Sequence, residues 1–216
     1  MISYIEDAPN IVAKELVQEH VEKYFDEVRQ LLPELPDDIY IWLDNRHMIY
    51  EVGEGGFAYS PVTINLSFDV DFTDKAKQLK SFRGTIFHET FHMVQGFTFE
   101  EPRALMKTAL DSAIYEGCAT VFEREYADVL PLWGEYAQHD IATLKEWKNQ
   151  LKSIPQSEYV DDAWETWAFY DAESGERWRV YKAGAWIVDE ALKKSGLNIL
   201  DLRLKSADDI LKLAKS

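Results

Sequence analysis

Two histidines and a glutamate stand close together in the stretch His-Glu-Thr-Phe-His, at His88, Glu89 and His92. On a helix that turns by about 100° per residue, all three side chains fall within one sector about 100° wide. Two neutral imidazoles one turn apart can bind a single Zn²⁺ at about 2.0–2.1 Å. The spacing therefore predicts a zinc site with His88 and His92 as ligands and with Glu89 beside the metal.

A catalytic zinc site normally takes a third ligand from the protein, and Glu116 is the candidate that this sequence offers. In the sequence, Glu116 lies far enough after His92 for a turn and the start of an antiparallel helix to stand between them. Glu116 also belongs to a polar stripe on an otherwise apolar helix, and such a stripe needs a polar neighbour. The stripe consists of Ser112, Glu116, Thr120 and Glu123. Thr120 and Glu123 are candidates for an outer hydrogen bond to a ligand histidine.

A long helix must hold the two histidines, and the pattern predicts it over residues 74–95, with Thr73 as its N-cap and Gly96 at its end. The helix face that points away from His88, Glu89 and His92 is apolar and can pack in a core. That face is formed by Phe87, Phe91 and Val94. A second helix, predicted from Pro102 to about residue 128, carries Glu116.

The strand signals lie ahead of these helices. Residues 62–68 alternate strictly between apolar and polar side chains, which is typical of a strand with one buried face. Residues 40–43 and 47–52 predict two shorter strands, and the glycines within 53–56 predict a turn. Because the rest of the chain has helical patterns, the sequence predicts an α+β fold with a small N-terminal sheet.

The length and composition suit one globular domain with its own core, because 46% of the 216 residues are hydrophobic and 29% are charged. We expect a single domain over residues 1–216. Within it, an α/β lobe at 1–96 carries the two histidines, and a mainly helical lobe at 97–216 carries the third ligand.

Charge and cysteine content exclude several classes of partner. The chain has 23 Lys and Arg against 39 Asp and Glu, and its formal charge of -16 repels nucleic-acid phosphates and anionic lipids. No apolar run approaches the roughly 18 residues of a membrane span, and the first residues lack the pattern of a secretory signal. A lone cysteine, Cys118, agrees with a reducing compartment. We therefore expect a cytoplasmic protein that binds neither nucleic acid nor membranes.

The motifs resemble a known group of enzymes. His-Glu-x-x-His with a downstream helical Glu116 is similar to the gluzincin metallopeptidases. More narrowly, a glycine-rich turn, a strand, HETFH, YEGCA and YKAG follow one another as in a family of predicted zinc-dependent proteases of unknown function. The resemblance covers about residues 40–195, and HETFH and YEGCA are its specific parts.

This resemblance implies a zincin-like fold with one Zn²⁺ per chain. His88, His92 and Glu116 would be the ligands, and Glu89 would be the catalytic base. An edge strand beside the site would pair with an extended peptide or protein substrate. One residue departs from the pattern of the thermolysin-like gluzincins, which have an Asp one turn after the ligand Glu, where this chain has Thr120.

The expected reaction is hydrolysis of a peptide bond. Zinc lowers the pKa of a bound water towards about 7, and Glu89 accepts the proton and later returns it to the leaving amine. A hydrogen-bond donor must stabilise the developing oxyanion, and Tyr181 in the YKAG motif is the candidate.

Two other functions fit parts of the pattern. Glu89 and His92 also form a Glu-x-x-His unit, as in di-iron carboxylate proteins, but such sites need two units and two further Glu, and the sequence has one unit. The alternative is a non-catalytic interaction module with a relic metal site. The remaining histidines are expected to be structural or solvated, because none has a partner at ligand spacing. They are His20, His47 and His139.

Overall fold

A four-stranded sheet and a larger set of helices make up the protein, and the predicted α+β class is confirmed. The computed structural model describes residues 1–6, 14–44, 46–100 and 106–215. The strands are β1 (Ile2–Glu6), β2 (Ile39–Leu43), β3 (Glu54–Ser60) and β4 (Thr63–Phe68). The helices are α1 (Lys14–Leu31), α2 (Lys75–Gln95), α3 (Ala109–Tyr126), α4 (Ile141–Ser153), α5 (Gln156–Glu158), α6 (Trp164–Ala168), α7 (Arg179–Ser195) and α8 (Ala207–Leu213).

Three shorter turns complete the described helical structure. They are 3₁₀ turns at Leu132–Gly134 and Ile199–Leu202 and a π-helical turn at Tyr159–Ala163. Among the described residues, no helix is both long and apolar enough to cross a membrane. The chain forms two compact units, the first from Met1–Glu101 with Glu125–Val129, and the second from Pro102–Arg124 with Leu130–Ser216.

The sheet belongs to the first unit and has the strand order β1-β2-β4-β3. β1, β2 and β4 are parallel, and β3 runs antiparallel to β4 at the edge. In β2, buried and more exposed side chains alternate, and Phe68 of β4 packs edge-on against Phe82 of α2 at 5.2 Å between ring centroids. The apolar side chains of the pattern in residues 62–68 include the buried Ile64, Leu66 and Phe68, but the expectation of one buried face was wrong. The polar Asn65 and Ser67, which point to the other side of the strand, are buried too.

The expectations for residues 47–56 were partly wrong, although Gly53 lies in a turn, at φ 68°, as expected. Residues 47–52, expected as a strand, form turns joined to β3 by a single bridge between Ile49 and Glu54, whereas Gly55 and Gly56 lie inside β3. The reason is a close backbone approach, which strand glycines often mark. A Cβ on Gly55 would lie 1.9 Å from the carbonyl oxygen of His47, so no larger residue fits there.

Helix α2 has the predicted extent, and its two ends show why. Asp74, rather than the expected Thr73, is the N-cap, because its side chain accepts a hydrogen bond from the Lys77 N–H at 3.0 Å. Gly96 ends the helix in the left-handed conformation, at φ 68°, as predicted. Near its start, the Gln78 amide donates to the carbonyl oxygens of Gly53 and Asp69, both at 2.6 Å, which fixes the helix to the sheet.

The second unit contains a close crossing of α3 and α7 at two glycines. A Cβ on Gly117 would lie 2.2 Å from the carbonyl carbon of Gly184, and a Cβ on Gly184 would lie 1.8 Å from the carbonyl oxygen of Ala113. Glycine at both positions lets the two backbones touch, which gives YEGCA and YKAG a shared structural role. α3 begins at Ala109, later than predicted, because Thr108 forms an isolated antiparallel bridge with Pro155 and residues 106–108 are not helical. The predicted start at Pro102 lies outside the described residues.

We expect Gly184→Ala to destabilise the protein by about 3 kcal/mol, at the upper end of the cost of overpacking, because the new methyl would meet backbone atoms that cannot rotate away. Urea unfolding followed by circular dichroism measures the change. Alanine favours a helix over glycine by about 1 kcal/mol, so a neutral or stabilising substitution would contradict the close crossing.

Candidate metal centre

The middle of α2 carries the three side chains of the His-Glu-x-x-His motif. All are buried, with His88 5%, Glu89 8% and His92 4% exposed. The imidazole rings of His88 and His92 stand nearly perpendicular, with 4.7 Å between their centroids. One helical turn thus places two nitrogen donors side by side, because residues four apart on a helix share a face.

Glu89 is held at the edge of the sheet. Its Oε2 accepts a hydrogen bond from the backbone N–H of Ala58 in β3 at 2.8 Å. Gly56 makes room for this contact, because a Cβ there would lie 2.5 Å from Thr85 Cγ2 and 3.0 Å from Glu89 Cγ. The carboxylate is therefore fixed by one oxygen, as a base aimed at a bound substrate needs to be.

Substitution of Gly56 by Ala is expected to cost about 1–3 kcal/mol of stability, because its methyl overlaps the methyl of Thr85. Chemical denaturation measures this loss. In the double variant Gly56→Ala with Thr85→Ser, the overlapping methyl is absent, so most of the stability should return. Equal losses in the single and double variants would show that Thr85 does not limit the approach.

The edge of β3 is already bonded at both ends by the same chain. The N–H of Ile49 donates to the Glu54 carbonyl at 2.9 Å. Beyond the Glu89 contact, the N–H of Phe99 donates to the Ala58 carbonyl and that of Glu100 to the Tyr59 carbonyl, each at 3.0 Å. Among the described residues, bonds from the same chain thus lie on both sides of residues 56–57 at this edge.

His47 lies near this edge, although no residue at ligand spacing was expected to act together with it. Its ring stacks on Phe57 with 4.9 Å between centroids. Burial lowers the pKa of His47, and the carboxylates of Asp44 and Glu89 only partly oppose that shift. The imidazole is therefore neutral near pH 7 and within electrostatic reach of Glu89. Sequence spacing could not reveal that His47 lies near Glu89, because the two residues are far apart in the chain and a turn and a strand bring them together.

The polar stripe of α3 is buried, and three of its members contact other residues of the second unit, to which they belong. Ser112 Oγ donates to Gln156 Oε1 at 3.2 Å, and Glu123 Oε2 accepts a hydrogen bond from the Trp133 indole N–H at 3.2 Å. Thr120 is 1% exposed and packs closely against Gly134. A Cβ added to Gly134 would lie 2.3 Å from Thr120 Cγ2. Glu116 is 5% exposed.

The candidate ligands form one group. The donor atoms of His88, His92 and Glu116 all lie within 4.8 Å of one another, and among the described residues no other His, Cys, Asp and Glu side chains form such a group. Two imidazole nitrogens and one carboxylate oxygen are the donor set of catalytic zinc sites with three protein ligands. The residues present therefore fit a zinc ion. Tyr181 is half-buried in the first turn of α7, and its role stays a prediction.

A comparison with known protein families gives one match. The family model described as "Predicted Zn-dependent protease (DUF2268)" matches residues 17–212, a span that includes HETFH, YEGCA and YKAG. No curated protein matches the chain.

Proposed function

We propose that this chain, which belongs to the family of predicted Zn-dependent proteases, hydrolyses peptide bonds with one Zn²⁺ held by three of its side chains. His88, His92 and Glu116 are the proposed ligands. The observation that carries the proposal is the buried His-His-Glu group on the helix turn that also holds Glu89 against the sheet edge. A purely structural metal site would not need Glu89.

Glu89 is the proposed general base and acid. Zinc, when bound, makes a water acidic and polarises the substrate carbonyl. The Glu89 carboxylate takes the proton from the attacking water and returns it to the leaving amine. Its bond from the Ala58 N–H, at 2.8 Å, holds Oε2, so the carboxylate has few orientations to lose when substrate binds.

The other proposed roles concern hydrogen bonding around the reacting groups. Tyr181 is the proposed donor to the oxyanion, in line with its place in the first turn of α7. Thr120 and Glu123 are the proposed outer partners of the ligand histidines. Supporting this, both side chains are buried on the same helix as Glu116.

We further propose a peptide or protein as the substrate and the cytoplasm as the compartment. The charge of -16 disfavours nucleic acid and anionic membrane surfaces as partners. The chain's one cysteine, Cys118, is buried and can form no disulfide within the chain, which suits a reducing environment.

The test is metal analysis of the purified chain followed by hydrolysis of a broad peptide library. We expect one zinc per chain and cleavage that a chelator stops and added zinc restores. Two irons per chain with oxo-bridge absorption in the near ultraviolet would instead support the di-iron alternative. Persistent inactivity of the zinc-loaded chain would support the non-catalytic module.

A further inference from the structure

Tyr159 combines complete burial with a hydroxyl that has no hydrogen-bond partner in the described part of the chain. Its side chain is 1% exposed, and it is among the largest fully buried side chains. It opens the π-helical turn Tyr159–Ala163, directly after α5. π-Helical turns are rare and frequently occur at functional sites. A buried hydroxyl without a partner is costly, so this one needs an explanation.

The segment that carries Tyr159 is tied to α3 just ahead of Glu116. Gln156 accepts a hydrogen bond from Ser112 Oγ at 3.2 Å, and its backbone N–H donates to the Lys107 carbonyl at 3.1 Å. Ser112 and Glu116 are four residues apart in α3, so they share one face of that helix. Tyr159 follows Gln156 by three residues, directly after α5, so these bonds tie the segment that carries it to this part of α3.

The charge of Glu116 acts on the phenol. Burial raises the pKa of Tyr159 well above its ordinary value, and the nearby Glu116 carboxylate raises it further. A phenol has an ordinary pKa of about 10 and is protonated near pH 7. The Tyr159 hydroxyl is therefore a hydrogen-bond donor within electrostatic reach of the Glu116 carboxylate.

We propose that Tyr159 is a positioning residue of the metal centre, whose hydroxyl donates a hydrogen bond to the Glu116 carboxylate when that carboxylate binds the ion. A carboxylate that gives one oxygen to a metal has a second oxygen to satisfy, and outer donors fix its orientation. This inference rests on the zinc site of the proposed function. It assigns to a residue far from the His-Glu-x-x-His motif the task of orienting the third ligand.

The test compares zinc binding by the wild-type chain and by Tyr159→Phe, which removes only the hydroxyl. We expect the Kd for Zn²⁺ to rise about 10- to 100-fold, the usual effect of losing an outer partner, in competition with a chromogenic chelator. The metal-free variant should melt at the same temperature as the wild type or higher, because the lost hydroxyl had no partner. Tyr170→Phe, at a side chain 52% exposed, is the matched control and should bind zinc as the wild type does.

A second variant shows whether Tyr159 acts through Glu116. In a Glu116→Ala background, which leaves no group to accept the bond, Tyr159→Phe should change the zinc Kd, measured at metal concentrations high enough to load the variant, by less than twofold, because residues that act through one bond are not additive. A full 10-fold effect in that background would overturn the proposal, as would an unchanged Kd in Tyr159→Phe alone. Wild-type protein that binds no zinc would defeat the proposed function itself, a result distinct from both.

Discussion

Glu89→Gln is expected to remove the proposed peptide hydrolysis and to leave the zinc content of the protein unchanged. The amide cannot accept the proton of the attacking water, and loss of a general base costs about 10²- to 10⁴-fold in rate. The amide has nearly the same shape as the carboxylate, and its oxygen can still accept the bond from the Ala58 N–H that holds Oε2 at 2.8 Å. The variant should therefore fold normally. Metal analysis and kcat on a cleaved peptide measure the two parts of this result.

The matched control for this substitution is Glu165→Gln, which makes the same chemical change at an exposed position of α6. It should keep both zinc and activity. Full activity in Glu89→Gln would show that another group takes the proton. Loss of zinc from Glu89→Gln would mean instead that Glu89 is a ligand.

Substitution of Glu116 by Ala is expected to abolish zinc binding at micromolar metal. The change removes the only carboxylate of the three-residue ligand group. Its effect on affinity should exceed the roughly 10- to 100-fold cost of removing an outer partner, because a direct ligand is lost. Equilibrium dialysis against zinc measures the occupancy, and circular dichroism checks that the variant is folded. Activity should fall together with occupancy.

Glu165→Ala controls for the loss of a glutamate side chain, and it should bind zinc with wild-type affinity. If Glu116→Ala stayed folded and kept one zinc per chain, the third ligand would have to be another residue. That outcome would remove the role proposed for Tyr159 as well, whereas an unchanged Kd in Tyr159→Phe alone would leave Glu116 as a ligand.

The features that could be predicted from the sequence depend on local periodicity. Helix α2 and its end at Gly96 follow from the spacing of apolar residues and from one glycine, and both depend on neighbours in the chain. The shared face of His88 and His92 is a property of that helix alone. The core face of β4 follows from the same kind of pattern with a period of two.

The features that could not be predicted depend on distant contacts. Gly55 and Gly56 were expected in a turn, yet they lie in β3. Glycine is needed at these positions because the backbone of His47 and side chains of α2 approach them closely. β1 is short and acquires its structure by parallel pairing with β2, a partner beyond the whole of α1. The tie between α3 and the segment that carries Tyr159 includes a hydrogen bond from Ser112 to Gln156, and no spacing rule relates those two residues.

The partly bonded edge of β3 has a consequence for the behaviour of the protein at high concentration. Unbonded strand edges are templates on which a second copy can add its own strand, and this is a common start of aggregation. Here Ile49, Phe99 and Glu100 fill most of that edge with bonds from the same chain. Among the described residues, the stretch of this edge left without such a bond, residues 56–57, is too short to nucleate a sheet between molecules. At this edge, β3 can therefore lie beside Glu89 without offering a second copy a template for its own strand.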